Sequence, residues 1–85
     1  MRIYYSSKFE REYKKLSRKI KLLAEEREHI FRQDPFDPRI DTHKLHGRLK
    51  EYWAFSIDTK YRIIFEFVKK NIVWFHSAGD HSIYQ

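Results

Sequence analysis

The sequence predicts an α+β fold, ordered β-α-α-β-β-β, in which two N-terminal helices pack on one face of an antiparallel sheet. The first half carries apolar side chains at helical spacing. The second half, after two prolines, contains short runs rich in Trp, Tyr, Phe, Ile and Val that are separated by polar breaks. Breaks this short force neighbouring strands to be antiparallel. Helices and strands that are segregated along the chain are typical of α+β domains.

The N-terminal half begins with a short β-rich run, RIYYS, followed by SKFE. Serine three residues before glutamate is the pattern of a capping box. We therefore expect the Ser7 side chain to accept a hydrogen bond from a backbone N–H group, and the Glu10 side chain to reach back to the start of the helix. The apolar spacing predicts one helix over about 7–16 and a second over about 18–33. Ser17 is expected to cap the second helix.

The motif DPFDP ends the helical region, because proline lacks an amide donor and the residue before it disfavours helical geometry. The strand-like pieces that follow cover residues 43–46, 52–58, 60–68 and 71–78, with breaks at DTK and KKN. Side chains alternate between two faces along a strand. The face expected under the helices holds Tyr61, Ile63, Phe65 and Phe67, and the opposite face holds Arg62, Ile64, Glu66 and Val68.

The composition favours one small domain spanning residues 1–85. Aromatic residues make up 18 % of the chain, so large rings can form a core, and the two tryptophans are expected in core or sheet packing. Cysteine is absent, which excludes disulfides, thiolate metal sites and cysteine nucleophiles. No apolar run approaches the ~20 residues that span a bilayer, and no signal peptide is evident. We therefore expect a cytoplasmic protein without a membrane partner.

The positive charge is concentrated in the helical half. Residues 1–32 hold ten Lys and Arg against five acids, which leaves +5 of the overall +6. Such a surface can attract phosphate backbones or an acidic protein partner. The simpler interpretation is a solvated helix face, which charge runs usually are.

Arg62 is the first candidate site residue, because it lies in mid-strand among apolar neighbours. Its planar guanidinium suits a phosphate. The alternative is a structural ion pair with Glu66, four residues on, or with Asp58.

Several histidines could transfer protons. His43 and His46 lie in HKLHG, where the loop meets the sheet, and histidine titrates near neutrality. Together with His76 and His81 they permit a metal site, but no HExxH or carboxylate-rich pattern supports one. We expect no metal and no small-molecule cofactor.

The C-terminal AGDHSIYQ is unusually rich in reactive side chains for a chain end. If it folds back over the face of Arg62, His81 would supply a proton-transfer group and Tyr84 an aromatic plane, as cleavage of a stacked RNA nucleotide needs. The alternative is that Tyr84 packs in a groove while His81 faces water. Asp80 is expected to shape the turn after Gly79.

The element order, together with HKLHG, EYWAFSIDTKYRIIFEF and GDHSIYQ, resembles the RelE/ParE-type toxins of bacterial type II toxin–antitoxin systems. The resemblance covers essentially the whole chain and is most specific over residues 43–84. It is closest to the YafQ-like and YoeB-like branches, which are ribosome-dependent mRNA endonucleases.

The resemblance implies metal-independent cleavage of mRNA in the ribosomal A site, by attack of a ribose 2′-hydroxyl on the adjacent phosphate. It implies that His43 is the base, that Arg62 holds the phosphate, that His81 donates a proton and that Tyr84 stacks on a base. The basic residues expected to contact RNA are His46, Arg48, Lys50 and Lys60. Ser56 and Lys60 stand where the YafQ-like branch has a histidine and an aspartate. The resemblance therefore implies a mechanism that relies on fewer catalytic groups here.

Two other functions remain open. ParE-like members of this fold poison DNA gyrase without enzymatic activity, and fold alone does not separate them from the nucleases. A member that has lost catalysis would be a protein-binding or RNA-binding module. Both toxin interpretations imply a cognate antitoxin, and the nuclease interpretation adds mRNA and 16S rRNA as partners.

Overall fold

The computed structural model describes residues 1–80. The strands and helices are β1 (Arg2–Tyr5), α1 (Ser7–Lys14), α2 (Arg18–Gln33), β2 (His43–Lys44), β3 (Trp53–Ser56), β4 (Arg62–Lys69) and β5 (Ile72–Gly79). Two short 3-10 turns, Pro38–Ile40 and Gly47–Leu49, flank β2. The α+β prediction and the element order are confirmed.

The strands form one five-stranded sheet in the order β1-β5-β4-β3-β2. Strands β2 to β5 are antiparallel, as the short breaks between them predicted. Strand β1, in contrast, pairs with β5 in parallel, which makes the sheet mixed. No hairpin links β1 to its neighbour, so the argument from short connections did not apply to this strand.

Serine side chains cap both helices. Ser17 accepts from the backbone N–H of Ile20 at 3.2 Å, as predicted for α2. The prediction for α1 is wrong by one residue, because Ser6 is the N-cap and its Oγ accepts from the N–H of Phe9 at 2.9 Å. Ser6 also donates to the carbonyl of His76 at 2.9 Å, and this tertiary bond favours it over Ser7.

The core is built around four phenylalanine rings that are fully buried. Phe31 of α2 lies 4.8 Å from both Phe55 and Phe65 and 5.6 Å from Phe75, measured between ring centroids. These aromatic contacts join α2 to β3, β4 and β5. The helices therefore cover one face of the sheet, and Ile63 lies buried beneath them with Phe65, as the alternation predicted.

The sheet surface opposite the helices is called the open face below. It carries Arg62, Ile64 and Glu66 of β4, together with Trp74 of β5 and Tyr4 of β1. Its centre holds a small second cluster of Leu45, Ala54 and Ile64, which Leu49 and Tyr52 partly cover. No helix residue belongs to this cluster. Among residues 1–80, no helix has the length and apolar character needed to cross a membrane.

Candidate active site

Strand register brings His43 and Arg62 to the same side of the sheet. His43 of β2 pairs with Ala54 of β3, and Ala54 pairs with Ile64 of β4. Because paired residues share a face, His43 lies on the open face with Ile64. Arg62, two residues before Ile64, follows on that face at the start of β4.

Both side chains line one surface cavity of about 650 Å³. The cavity is lined by Asp41, His43, Lys44, Leu45, His46, Arg48, Leu49 and Arg62. Four of these, His43, His46, Arg48 and Arg62, are site residues that the sequence predicted. Two leucines supply apolar surface, while cationic side chains outnumber the single carboxylate of Asp41. Such a cavity suits an anionic group joined to an apolar or aromatic one.

Backbone oxygens orient the guanidinium of Arg62. Its Nη1 donates to the carbonyl oxygens of Asp58 at 2.7 Å and Tyr61 at 3.3 Å. Neither ion pair considered from the sequence forms, and within residues 1–80 Arg62 makes no ion pair with any carboxylate. The charge of Arg62 is therefore held in place without being neutralised by a described carboxylate.

The two carboxylates that could have paired with Arg62 are engaged elsewhere. Asp58 Oδ1 accepts from the backbone N–H groups of Lys60 at 2.9 Å and Tyr61 at 2.7 Å, which closes the turn between β3 and β4. Glu66 Oε1 lies 2.9 Å from Nε2 of His76. Neither of these two carboxylates therefore neutralises the guanidinium of Arg62.

The imidazole of His43 is held by the chain just before it. Its Nδ1 lies 2.9 Å from the carbonyl oxygen of Asp41. A carbonyl oxygen can only accept, so Nδ1 carries the proton in this contact. In the neutral ring Nε2 then has a free lone pair, and His43 is exposed. This tautomer is the one that a general base needs.

The turn before His43 positions this contact. Asp37 Oδ1 caps the Pro38–Ile40 turn through the N–H of Arg39 at 2.9 Å, and the Arg39 guanidinium pairs with the same carboxylate. Hydrogen bonds from Arg39 lower the pKa of Asp37 to about 2. Ile40 is fully buried, and Asp41 adopts the left-handed conformation, with φ of 49°. Asp41 was not identified from the sequence, although aspartate is one of the few residues that tolerate this conformation.

Two other predicted residues, Lys50 and Lys60, do not line the cavity. Lys60 is exposed in the β3–β4 turn, with its Nζ 5.6 Å from the ring centroid of Tyr61. Lys50 follows the Gly47–Leu49 turn and does not line the cavity. His81 and Tyr84 lie outside the described residues. Among the side chains that the structure does describe, no three His, Asp or Glu come close enough together to hold a metal ion.

Comparison with known proteins gives one family. Residues 1–84 match a protein-family model whose description is "Bacterial toxin of type II toxin-antitoxin system, YafQ". A search of curated proteins finds no match.

Several solved structures share the fold. The crystal structure of YafQ from E. coli strain BL21(DE3) superposes with a TM-score of 0.80 at 17 % identity, covering 99 % of this chain and 98 % of that one. A YoeB/ParE toxin from Agrobacterium tumefaciens gives 0.80 at 13 % identity, covering 95 % and 99 %. A chain of the E. coli DinJ–YafQ complex gives 0.69 at 20 % identity, covering 98 % and 97 %.

At these identities the structural matches show the fold, and the family model, which spans nearly the whole chain, shows the family. The resemblance to RelE/ParE-type toxins, which covers essentially the whole chain, is confirmed. The chain belongs to the YafQ family of bacterial type II toxin–antitoxin toxins.

Proposed function

We propose that this toxin is a ribosome-dependent mRNA endonuclease that cleaves without a metal ion. The observation that carries the proposal is the shared cavity of His43 and Arg62. A histidine with a free lone pair and an arginine without a described carboxylate partner face the same space on the open face. Proton transfer and phosphate binding need that combination.

The proposed reaction is an internal transesterification. The 2′-oxygen of a ribose forms a bond to the adjacent phosphorus, and the bond from phosphorus to the 5′-oxygen of the next nucleotide breaks. His43 Nε2 takes the proton of the 2′-hydroxyl, and the leaving 5′-oxygen receives one. The products are a 2′,3′-cyclic phosphate and a free 5′-hydroxyl, and no co-reactant is consumed.

The proposed site residues have different roles in this reaction. Arg62 binds the phosphate and stabilises the charge that grows on its oxygens in the transition state. His46 and Arg48, at the same cavity, contact the RNA around the reacting nucleotide. Lys50 and Lys60, outside the cavity, contact the flanking backbone. His81 is assigned as the proton donor and Tyr84 as the stacking ring on the resemblance alone.

The proposed partners follow from this activity. The substrate is mRNA in the ribosomal A site, with 16S rRNA as a neighbour, so the toxin acts in the cytoplasm. A cognate antitoxin would cover the toxin when it is inactive, and the +5 helical half favours a partly acidic partner. A DinJ–YafQ complex is known for the E. coli relative.

The decisive experiment is mRNA cleavage in a reconstituted translation reaction, read by primer extension. We expect His43→Ala and His81→Ala each to lower the cleavage rate roughly 10²–10⁴-fold, because each removes one proton-transfer group. His29→Ala is the matched control, since His29 lies on α2, away from the cavity. Circular dichroism of each variant checks the fold.

Three outcomes contradict the proposal. Full cleavage by His43→Ala or His81→Ala removes the assigned site. No cleavage by the wild type, together with inhibition of gyrase supercoiling, indicates the ParE-like activity instead. No cleavage, no gyrase inhibition and no growth arrest on expression indicate an inactive binding module.

A further inference from the structure

Beside the proposed active site, four aromatic side chains follow the open face away from the cavity: Tyr52, His76, Trp74 and Tyr4. We propose that this row, called the aromatic track, binds the unpaired nucleotides that flank the cleaved one by stacking on their bases. The inference rests on the proposed nuclease function, because it takes single-stranded RNA as the ligand. It adds a second binding region that the motifs of the sequence did not indicate.

The track runs from Tyr52, which precedes β3, to His76 and Trp74 of β5 and then to Tyr4 of β1. The His76 ring lies 4.9 Å from that of Tyr52 and 5.2 Å from that of Trp74, measured between centroids. Trp74 pairs in register with Tyr4 of β1 on one side and Glu66 of β4 on the other. Side chains in such a row share a face and lie next to one another.

A β-bulge in β5 supports this arrangement. Ile64 pairs with Ser77 while Phe65 pairs with Phe75, so His76 is the extra residue on β5. Ala78 after the bulge is buried in the main core, whereas both His76 and Ser77 line a cavity with Ile64. The bulge therefore presents two successive polar side chains on the open face.

This second cavity joins the track to the active site. Its volume is about 260 Å³, and it is lined by Ser6, Lys8, Leu49, Tyr52, Ile64, His76 and Ser77. Leu49 also lines the cavity of His43 and Arg62, so the two cavities share this residue. A strand with one nucleotide at Arg62 can therefore place an adjacent base at Tyr52 and His76.

The charges along the track suit a phosphate backbone. Lys8 lines the second cavity, where its Nζ lies 3.9 Å from Glu12 Oε2 and donates to Ser77 Oγ at 3.4 Å. Arg2 lies next to Tyr4, with Nη1 3.3 Å from the phenol oxygen. The two nearby carboxylates are already engaged. Glu66 pairs with His76, and Glu12 accepts from Ser77 Oγ at 2.6 Å and from the backbone N–H of Ala78 at 3.0 Å.

The rings of Trp74 and Tyr4 are exposed, which favours stacking on unpaired bases. Trp74 is 43 % exposed and Tyr4 is 47 % exposed, whereas Trp53, the other tryptophan, packs against Phe36 and Phe67 on the helix side. Single-stranded RNA is bound by aromatic planes interleaved with cationic side chains, and base stacking tolerates any sequence. Paired bases, in contrast, have no free planes to offer.

The test uses Trp74 as its own reporter. In the Trp53→Phe variant Trp74 is the only tryptophan, so its fluorescence reports the track alone. The probes are 2′-O-methyl oligoribonucleotides of about six nucleotides, which bind without being cleaved. One probe carries every base, and the other is abasic at the positions flanking one central nucleotide. Both have the same phosphate charge.

We expect the complete probe to quench Trp74 and to bind roughly tenfold more tightly than the abasic probe. Trp74→Ala, made in the wild-type background and measured by anisotropy of a labelled probe, should remove that tenfold difference. The control is Phe36→Ala, which removes an aromatic ring that is 55 % exposed on the opposite face. It should leave the affinity for both probes unchanged.

Failure of the track and failure of the nuclease proposal give different results. If the wild type cleaves mRNA but Trp74 responds to neither probe, or both probes bind equally well, the track is overturned and the nuclease function stands. If the complete probe quenches Trp74 while no cleavage occurs in translation, the track is supported and the nuclease function is contradicted. A Trp74 signal that responds only to another protein would make the open face a protein-docking surface and overturn RNA stacking there.

Discussion

Nη1 of Arg62 donates to the main-chain oxygen of Asp58 at 2.7 Å, across the turn that joins β3 to β4. The carboxylate of Asp58 meanwhile closes the same turn through two backbone amides. Asp58 thus closes the turn with its side chain and orients Arg62 with its backbone carbonyl. A carbonyl, unlike a carboxylate, does not neutralise the charge of the guanidinium that it orients.

Arg62→Lys should lower mRNA cleavage roughly hundredfold while leaving the fold intact. An ammonium is a compact point charge and lacks the planar fork that holds a carbonyl with one nitrogen and a phosphate with the others. The measurement is the single-turnover cleavage rate in translation, compared with Arg18→Lys on the exposed start of α2. Wild-type cleavage by Arg62→Lys would show that Arg62 does not bind the reacting phosphate.

Ser6→Ala should destabilise the protein by about 1 kcal/mol, because it removes the N-cap of α1. Ser7→Ala is the matched control and should change the free energy of unfolding by less than about 0.5 kcal/mol. Urea denaturation of both variants measures the difference. Equal losses would mean that the capping role is shared between the two serines.

Glu12→Ala should cost about 1–3 kcal/mol of stability, since it leaves the backbone N–H of Ala78 without its partner at a residue that is 2 % exposed. The carboxylate ties α1 to the end of β5. Glu10→Ala on the exposed side of α1 should be close to neutral in the same urea titration. A neutral Glu12→Ala would show that water replaces this contact without cost.

Phe31→Ala should destabilise the protein by about 3–5 kcal/mol, because it opens a cavity where four buried rings meet. Leu22→Ala on the same helix removes a side chain that is 54 % exposed and should cost less than about 0.5 kcal/mol. The urea midpoints of the two variants give the comparison. A small loss at Phe31 would mean that the core closes over the missing ring.

Burial, with the carboxylate of Glu28 2.7 Å from the phenol oxygen, raises the pKa of Tyr5 above its ordinary value of 10.0, while Arg32 opposes the shift. Phenolate absorbance should therefore show a late-titrating component that becomes smaller in Tyr5→Phe and disappears in urea. It does not disappear in Tyr5→Phe because burial also raises the pKa of Tyr13. Below pH 10 the folded and unfolded phenols are both protonated. Above it the unfolded form loses its proton first, so stability falls as pH rises. A late-titrating component of the same size in Tyr5→Phe and in the wild type would contradict the shift.

Much of the candidate site could be predicted, because it depends on strand alternation and on the position of one short motif. Alternation along a strand placed Arg62 opposite the core, and the position of HKLHG at the start of the sheet brought His43 and His46 near it. The partner of Arg62 could not be predicted. The sequence offered two carboxylates, whereas the structure uses a backbone carbonyl, and every residue has a carbonyl whose direction depends on the turn.

Two other features that the sequence missed depend on distant parts of the chain. Ser6 rather than Ser7 caps α1 because its hydroxyl also reaches His76, seventy residues away. The bulge that places Ser77 beside His76 on the open face is a register shift between β4 and β5, and sequence alternation assumes that no such shift occurs.

By itself the sequence determined the fold class, the helix and strand order, the core-facing residues and the family, because these follow from residue periodicity, turn residues and motifs within short stretches. Only the tertiary structure decided the parallel pairing of β1, the carbonyl contacts of Arg62 and His43, and the exposure of Trp74. The pairing of β1 and the exposure of Trp74 depend on which residues meet across the sheet, and that is fixed by packing the whole core. The two carbonyl contacts depend on the conformation of the turn before each residue, which residue type alone does not fix.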